Sequence, residues 1–243
     1  SPSLNSMEPQ MSLALQAMVQ PAALNREFGC DSTTSKIDIP PLNVIGSVAH
    51  FDANETIFAE GDGANYVYKI RSGGVRLCKL LADGRRQIVD FALPDDHFGF
   101  ELGDEHTITA EALEPVVLLK CARTRLARLE RERQDVGQSL MHMLRRDLWA
   151  AQNHLLMLGR QTAKERVASF LLLMAERGGT EAGPAIDIPM SRQDIADYLG
   201  LTIETVCRAL SDLKRDRIIT IPSRHQIVVR NSAVLESMAL GEE

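Results

Sequence analysis

"SRQDIADYLGLTIETVCRALSDLKRDRII", Ser191 to Ile219, decides how this chain is read. Ser191 with Asp194 three positions on is a capping box, with Asp in place of the usual Glu, and it opens a helix that runs to about Leu199. Gly200 can take the left-handed conformation that ends a helix, and Thr202 can cap the next one. Two helices joined by so short a Gly-containing turn make a helix-turn-helix. On the second helix, Ile203, Val206, Leu210 and Leu213 share one apolar edge. Glu204, Arg208, Ser211 and Arg215 form a narrow polar stripe, roughly 80–140° around from Ile203 at 100° per residue, and Cys207 falls on the boundary.

A solvent-exposed Glu204–Arg208 pair would contribute only ~0.2–0.5 kcal/mol to a helix. Behind a capped helix, a Gly turn and an apolar edge in phase, the same two residues make a base-reading surface. Arg presents a fork to guanine O6 and N7, and Glu accepts from the cytosine amino group. Arg192 and Gln193, in the first turn of the leading helix, are placed to meet phosphate. "IITIPSRHQIVV" reads as two strands around Pro222–Gln226, a winged hairpin with Ser223, Arg224 and His225 at its tip. Thr202, Ser211 and Arg215 complete the set expected to face the DNA backbone.

Charge distribution agrees with a partner at this end. The 243 residues carry a net charge of −6. Residues 1–159 hold 16 Lys/Arg against 21 Asp/Glu, whereas residues 160–230 hold 11 against 9. Cys30, Cys78, Cys121 and Cys207 form no CxxC pair, so neither a zinc site nor a disulfide framework is expected. Scattered thiols fit a reducing compartment, and the chain reads as cytoplasmic. No apolar run reaches the ~18 residues of a membrane helix, and "MSLALQAMV" lacks the basic leader of a signal peptide. No Ser/His/Asp set, phosphate cradle or metal-ligand spacing points to an enzyme, a metal or another cofactor.

Four regions are expected: an N-terminal arm over 1–43, with one helix near Ser12 to Val19; a β domain over 44–134; a long helix over 135–160; and the DNA-binding domain over 161–243. In the β domain, short apolar runs alternate with the turn signals "EGDG", "SGG", "ADG" and "PDD", which predicts an antiparallel roll with a hairpin at Asp83-Gly84. Thr124 is expected to cap a short helix, "RLARLERE". In the long helix, Met141, Leu144, Leu148, Ala151, Leu155 and Leu158 step by three and four, a seam about 27 Å long that suits a second copy of the chain; the other reading is a helix packed on its own β domain, which would more often show a wider apolar stripe. The fold class is therefore α+β: an antiparallel β-roll, a dimerisation helix and a winged helix-turn-helix.

Over about Val44 to Val229 the chain resembles the CRP/FNR family of bacterial transcription regulators, most of all its FixK-type members of low-oxygen and nitrogen-fixation control. The resemblance rests on "IFAEGDGANYVYKIRSGGVRL" and "ADGRRQIVDFALPDDHFGFE" in the roll, on the long helix, and on the helix-turn-helix. It implies a homodimeric activator on double-stranded promoter DNA, with TTGAT and ATCAA arms and with Ile203, Glu204, Cys207 and Arg208 at base edges. It also implies that the loop Arg177 to Ala185, with Thr180 and Glu181, touches RNA polymerase. Cyclic-AMP-binding members clamp the phosphate with an Arg-Ser pair, whereas Thr107 to Thr109 stand here, with Glu101 near the expected carboxylate. Burying a phosphate without that Arg is costly, so no cyclic nucleotide is expected. An iron–sulfur cluster wants four thiolates and the N-terminal segment offers Cys30; nothing marks His50, His97 or His106 as a haem ligand. Cys207 replaces the family's Ser, and its place beside Arg208 makes it a candidate redox-sensitive thiol. The rival reading is a sensing module whose roll binds a small effector.

Overall fold

The computed structural model describes residues 46–178 and 185–241. The N-terminal arm and the loop carrying Thr180 and Glu181 lie outside the described residues. Eight strands build the roll: β1 (Ser47–Phe51), β2 (Thr56–Phe58), β3 (Tyr66–Ser72), β4 (Val75–Leu80), β5 (Arg86–Ala92), β6 (His97–Phe98), β7 (Thr109–Ala112) and β8 (Val116–Ala122). They form two antiparallel sheets, in the orders β1-β8-β3-β6 and β2-β7-β4-β5. Phe58, Tyr68, Ile70, Val75, Leu77, Phe98 and Leu118 fill the space between them. The β4–β5 hairpin turns at Gly84, whose φ of 83° suits a residue without Cβ.

The outer face of that hairpin positions everything that follows. Along β4, Val75 and Leu77 point into the roll, so Arg76 and Cys78 point out by the two-residue period. In β5 the register against β4 slips at Leu77/Cys78, leaving Val89 as an extra residue. The bulge shifts the phase, so Ile88 and Phe91, three apart, both face outward. Arg76, Cys78, Arg86, Ile88 and Phe91 thus make a docking face.

Helix α1 (Arg123–Glu132) follows β8 without a break. The expected Thr124 cap is not formed: the N-cap is Ala122, with no side-chain bond. The strand itself sets the start, since the Arg123 amide donates to the Asn65 carbonyl at 2.9 Å. Helix α2 (Gln134–Arg160) uses two stripes. Val136, Leu140 and Met143 pack with Leu126, Val67 and Cys121 of their own roll. This intrachain stripe lies beside the expected seam, on residues outside the seam's own pattern. On the seam, Met141, Leu144, Leu148 and Leu155 are between 49% and 70% exposed, so the chain's own roll leaves them uncovered. Ala151 is also exposed, while Leu158 is half-buried.

The C-terminal part contains α3 (Ala163–Gly178), β9 (Ala185–Asp187), α4 (Arg192–Leu199), α5 (Ile203–Arg215), β10 (Ile219–Ser223), β11 (Gln226–Val229) and α6 (Ser232–Leu240). The three strands form one antiparallel sheet in the order β10-β11-β9. Its core joins Phe170, Met174, Ile195, Tyr198, Leu199, Val206, Leu210 and Leu213 to Cys78, Ile88 and Phe91 of the roll. One apolar core therefore spans the boundary between the two parts.

Candidate nucleic-acid interface

The leading helix α4 starts as its sequence requires. The Ser191 hydroxyl accepts from the Asp194 amide, and the Asp194 carboxylate accepts from the Ser191 amide at 3.0 Å, completing the capping box. The same carboxylate takes a 2.6 Å bond from the Ser191 hydroxyl. At the other end Gly200 has φ 62°, and the Leu201 amide reaches the Ala196 carbonyl at 3.0 Å. The dihedral is what calls for glycine, because an added Cβ would meet nothing closer than Leu158 at 3.5 Å. Thr202 then caps α5 by accepting from the Thr205 amide.

On α5 the buried residues are Val206, Ala209, Leu210 and Leu213. Ile203 is only half-buried against this core, so the apolar edge starts one turn later than its pattern suggests. Glu204, Arg208, Ser211 and Arg215 are all exposed on the opposite side. No ion pair joins Glu204 to Arg208 among the described residues, so the carboxylate does not hold the guanidinium. Glu204 instead accepts from its own amide and from Thr202, which holds its carboxyl below the usual carboxylate range. Both groups are left to meet a partner.

The flanking residues divide. Arg192 is half-buried at the start of α4, and burial, with the nearby Arg224 guanidinium, pulls it below the usual arginine value. Ser223 and Arg224 are exposed at the wing tip. His225 is also exposed, but its Nδ1 lies 3.2 Å from the Ile188 carbonyl, which anchors the tip to the sheet. Three other expected backbone contacts have partners within the chain. Arg215 is bound by Asp212 at 2.8 Å and Asp216 at 3.1 Å. The Gln193 amide donates to Asp197 at 2.6 Å, and the Ser211 hydroxyl donates to the Cys207 carbonyl at 2.8 Å. Cys207 is exposed rather than packed, so its side chain fills no gap in the core.

Residues outside the expected set hold this surface in place. Arg166 donates to the carbonyls of Leu158, Gln161 and Leu199, closing the ends of α2 and α4 together. His154 of α2 stacks on Tyr198 of α4 at 4.1 Å, and burial pushes its imidazole below the usual histidine value. Phe91 lies 5.2 Å from the same Tyr198 ring. Arg86 and Arg76 reach from the roll to the capping-box carboxylate. The partners of His154, Phe91, Arg86 and Arg76 are more than forty positions away in sequence, and Arg166 bonds backbone carbonyls at helix ends, so no local pattern marks any of them.

In the roll, the loop at the expected phosphate position is closed on itself. Glu101 accepts from the Thr107 hydroxyl at 3.0 Å and from its amide at 3.2 Å. His106 stacks on Phe58 at 3.5 Å, and burial pushes its imidazole down towards the neutral form despite Glu101 alongside. Arg123 spends its guanidinium on the carbonyls of Ala64, Gly103 and Glu101. Thr109 accepts from the Glu60 amide at 3.0 Å.

Two family models match the chain: a cyclic nucleotide-binding domain over residues 48–133 and a Crp-like helix-turn-helix domain over residues 165–238. The nitrogen fixation regulation protein FixK of Azorhizobium caulinodans is 42% identical over 197 residues, covering 80% of this chain and 79% of the relative. The transcriptional activator protein FnrL of Cereibacter sphaeroides is 34% identical over 214 residues, covering 85% of this chain and 84% of the relative. The solved structure of FixK2 from Bradyrhizobium japonicum matches with a TM-score of 0.76 at 42% identity, covering 80% of this chain and 97% of that one. No described helix is long and apolar enough to cross a membrane.

The capping box generates a stability prediction. Ser191→Ala removes one cap acceptor and the hydroxyl bound to Asp194, and should cost about 1–2 kcal/mol. Hydrogen exchange should show the loss first in the amides of α4 and α5, with the roll strands unchanged.

Proposed function

This chain belongs to the CRP/FNR family of transcription regulators, in its FixK-type branch, and we propose that it is a homodimeric activator that reads a palindromic promoter site through α5. The single observation that supports this most is that Glu204 and Arg208, not ion-paired with each other, stand on the exposed face of a helix capped by Thr202. Base edges are read by the first turns of such a helix, and an i,i+4 pair spans neighbouring base pairs. Ile203 and Cys207 flank the pair. Arg192, Thr202, Ser223, Arg224 and His225 are assigned to the backbone; Gln193, Ser211 and Arg215 would have to exchange their internal partners for phosphate. The arms are TTGAT and ATCAA, and the controlled genes are those of the low-oxygen response. The activator contacts RNA polymerase through the loop containing Thr180 and Glu181.

The reading includes no cyclic nucleotide and no iron–sulfur cluster. Its support in the roll is that Glu101 is engaged by Thr107 and that His106, held towards neutrality, stands in the neighbouring interior. Of the cations beside this loop, Arg123 is committed to three carbonyls and Lys79 to the Thr107 carbonyl and Glu60, so a phosphate would have to draw one of them from its present partners. A roll that gates DNA binding through a small effector would have to open this closed loop first.

Arg208→Ala should weaken binding by about 1–3 kcal/mol and relax preference mainly at the guanine of the TGA core. Titrations against duplexes substituted at each position check this; equal weakening on every sequence would reduce Arg208 to a phosphate contact. Dimerisation is assigned to the uncovered stripe Met141, Leu144, Leu148, Ala151 and Leu155, with Leu158 at its end. Leu148→Glu combined with Leu155→Glu places charge in that interface, so sedimentation should report a monomer that binds the palindrome poorly. A dimer unchanged by both substitutions would contradict the assignment.

A further inference from the structure

We propose that Arg86 is a positioning residue for DNA recognition: it clamps the leading helix α4 to the roll and so fixes the angle at which the dimer presents its two recognition helices. The proposal rests on the DNA-reading function above and adds a residue that does not lie on the DNA-facing surface.

The geometry is a two-point clamp. Arg86 Nη2 donates to Asp194 Oδ1 at 2.7 Å, and Arg86 Nε donates to Asp197 Oδ2 at 2.8 Å. Asp194 and Asp197 are three apart on α4 and so lie on one face of the helix. A planar guanidinium that bonds both restrains rotation of the helix about its axis as well as its distance from the roll. The anchor side is stiff. Arg76, adjacent on the same outer face, donates to Glu111 at 2.7 Å and to Asn54 at 3.3 Å, and lies 3.5 Å from Asp194. Asp194 retains 5% side-chain exposure, Asp197 13% and Arg86 27%, so these pairs are less screened than surface pairs.

The position of the clamp says what it controls. Helix α2 connects to the DNA-binding part through Gln161, which is extended at φ −84° and ψ 145°. A break between two helices is a pivot. Arg166 and the His154–Tyr198 stack secure the part close to that pivot, at the C-terminal end of α4. Pinning near a pivot leaves swing. Arg86 extends the hold along α4 from Asp197 back to Asp194, near the helix start, and α5 packs against α4. The tilt of α5 is thereby tied to the roll, and through α2 to the second copy. Neither Glu204 nor Arg208 touches Arg86, so the clamp sets where each recognition helix stands and leaves its base contacts alone.

The experiment measures affinity of the full chain for palindromes whose two arms are separated by the native spacing or by one base pair more or fewer, alongside duplexes with the guanine of one arm replaced. Wild-type protein should prefer the native spacing by roughly tenfold or more. Arg86→Met keeps the apolar stem but removes the clamp, and should flatten that preference to within about threefold while leaving discrimination at the guanine intact. Arg86→Lys restores the charge without the fork and should recover the preference only in part. The lysine variant carries the same comparison should the methionine variant fail to fold. Undiminished spacing preference in the folded variant overturns the clamp, as does equal loss of spacing and base discrimination. Wild-type protein that does not distinguish the palindrome from a shuffled duplex overturns the DNA reading itself, and the clamp with it.

Discussion

The Asp194 carboxylate is the point on which this structure turns. One oxygen closes the capping box with Ser191, and the other receives Arg86 and Arg76 from the β-roll. A carboxylate this deeply buried is tolerated only when its lone pairs are filled by donors. Ser191 alone would leave one side of it unsatisfied, and the two arginines alone would leave α4 without its cap. The requirement for both welds the start of the helix-turn-helix to the outer face of a sheet more than 100 residues earlier in the chain. Removing both arginines would leave this charge buried without a cationic partner, a loss of about 3–5 kcal/mol.

Apolar packing makes the same connection without direction. Phe91 and Ile88 reach the DNA-binding core only because Val89 bulges out of β5. Tyr198 then gathers Phe91, Phe170 and His154 from strand, α3 and α2 around one ring. Burial of these rings supplies attraction between the two parts, and the arginine clamp supplies orientation. A surface that must present a helix to the major groove needs both, since an apolar contact by itself permits sliding.

Much of this was legible from residues alone, and the gaps follow from physics. The capping box, the Gly200 turn, the wing and the Gly84 hairpin are local, so each is written in a few adjacent residues. The outward stripe Glu204, Arg208, Ser211 and Arg215 followed from the helical period, although Ala209 was needed to complete the buried face. The start of α1 was misplaced because a strand amide partner, not the Thr124 side chain, sets it. The inner stripe of α2 was missed because Val136, Leu140 and Met143 interleave with the stronger seam pattern. Arg76 and Arg86 looked like ordinary strand polars; their partners belong to another part of the chain, and no single-sequence period reports that. Arg215 is the opposite case: its partners Asp212 and Asp216 are sequence neighbours, and the i,i+3 spacing already places a carboxylate beside the charge expected to meet phosphate.

On the proposed reading, a regulator with a self-closed roll and a clamped helix-turn-helix binds DNA without a ligand. Footprinting of the purified chain on promoter DNA, with no small molecule added, tests this most directly. The account predicts protection of two arms about one helical turn apart on a TTGAT/ATCAA palindrome, at the same protein concentration before and after a cell extract's small-molecule fraction is supplied. Protection that emerges only once that fraction is present would contradict it.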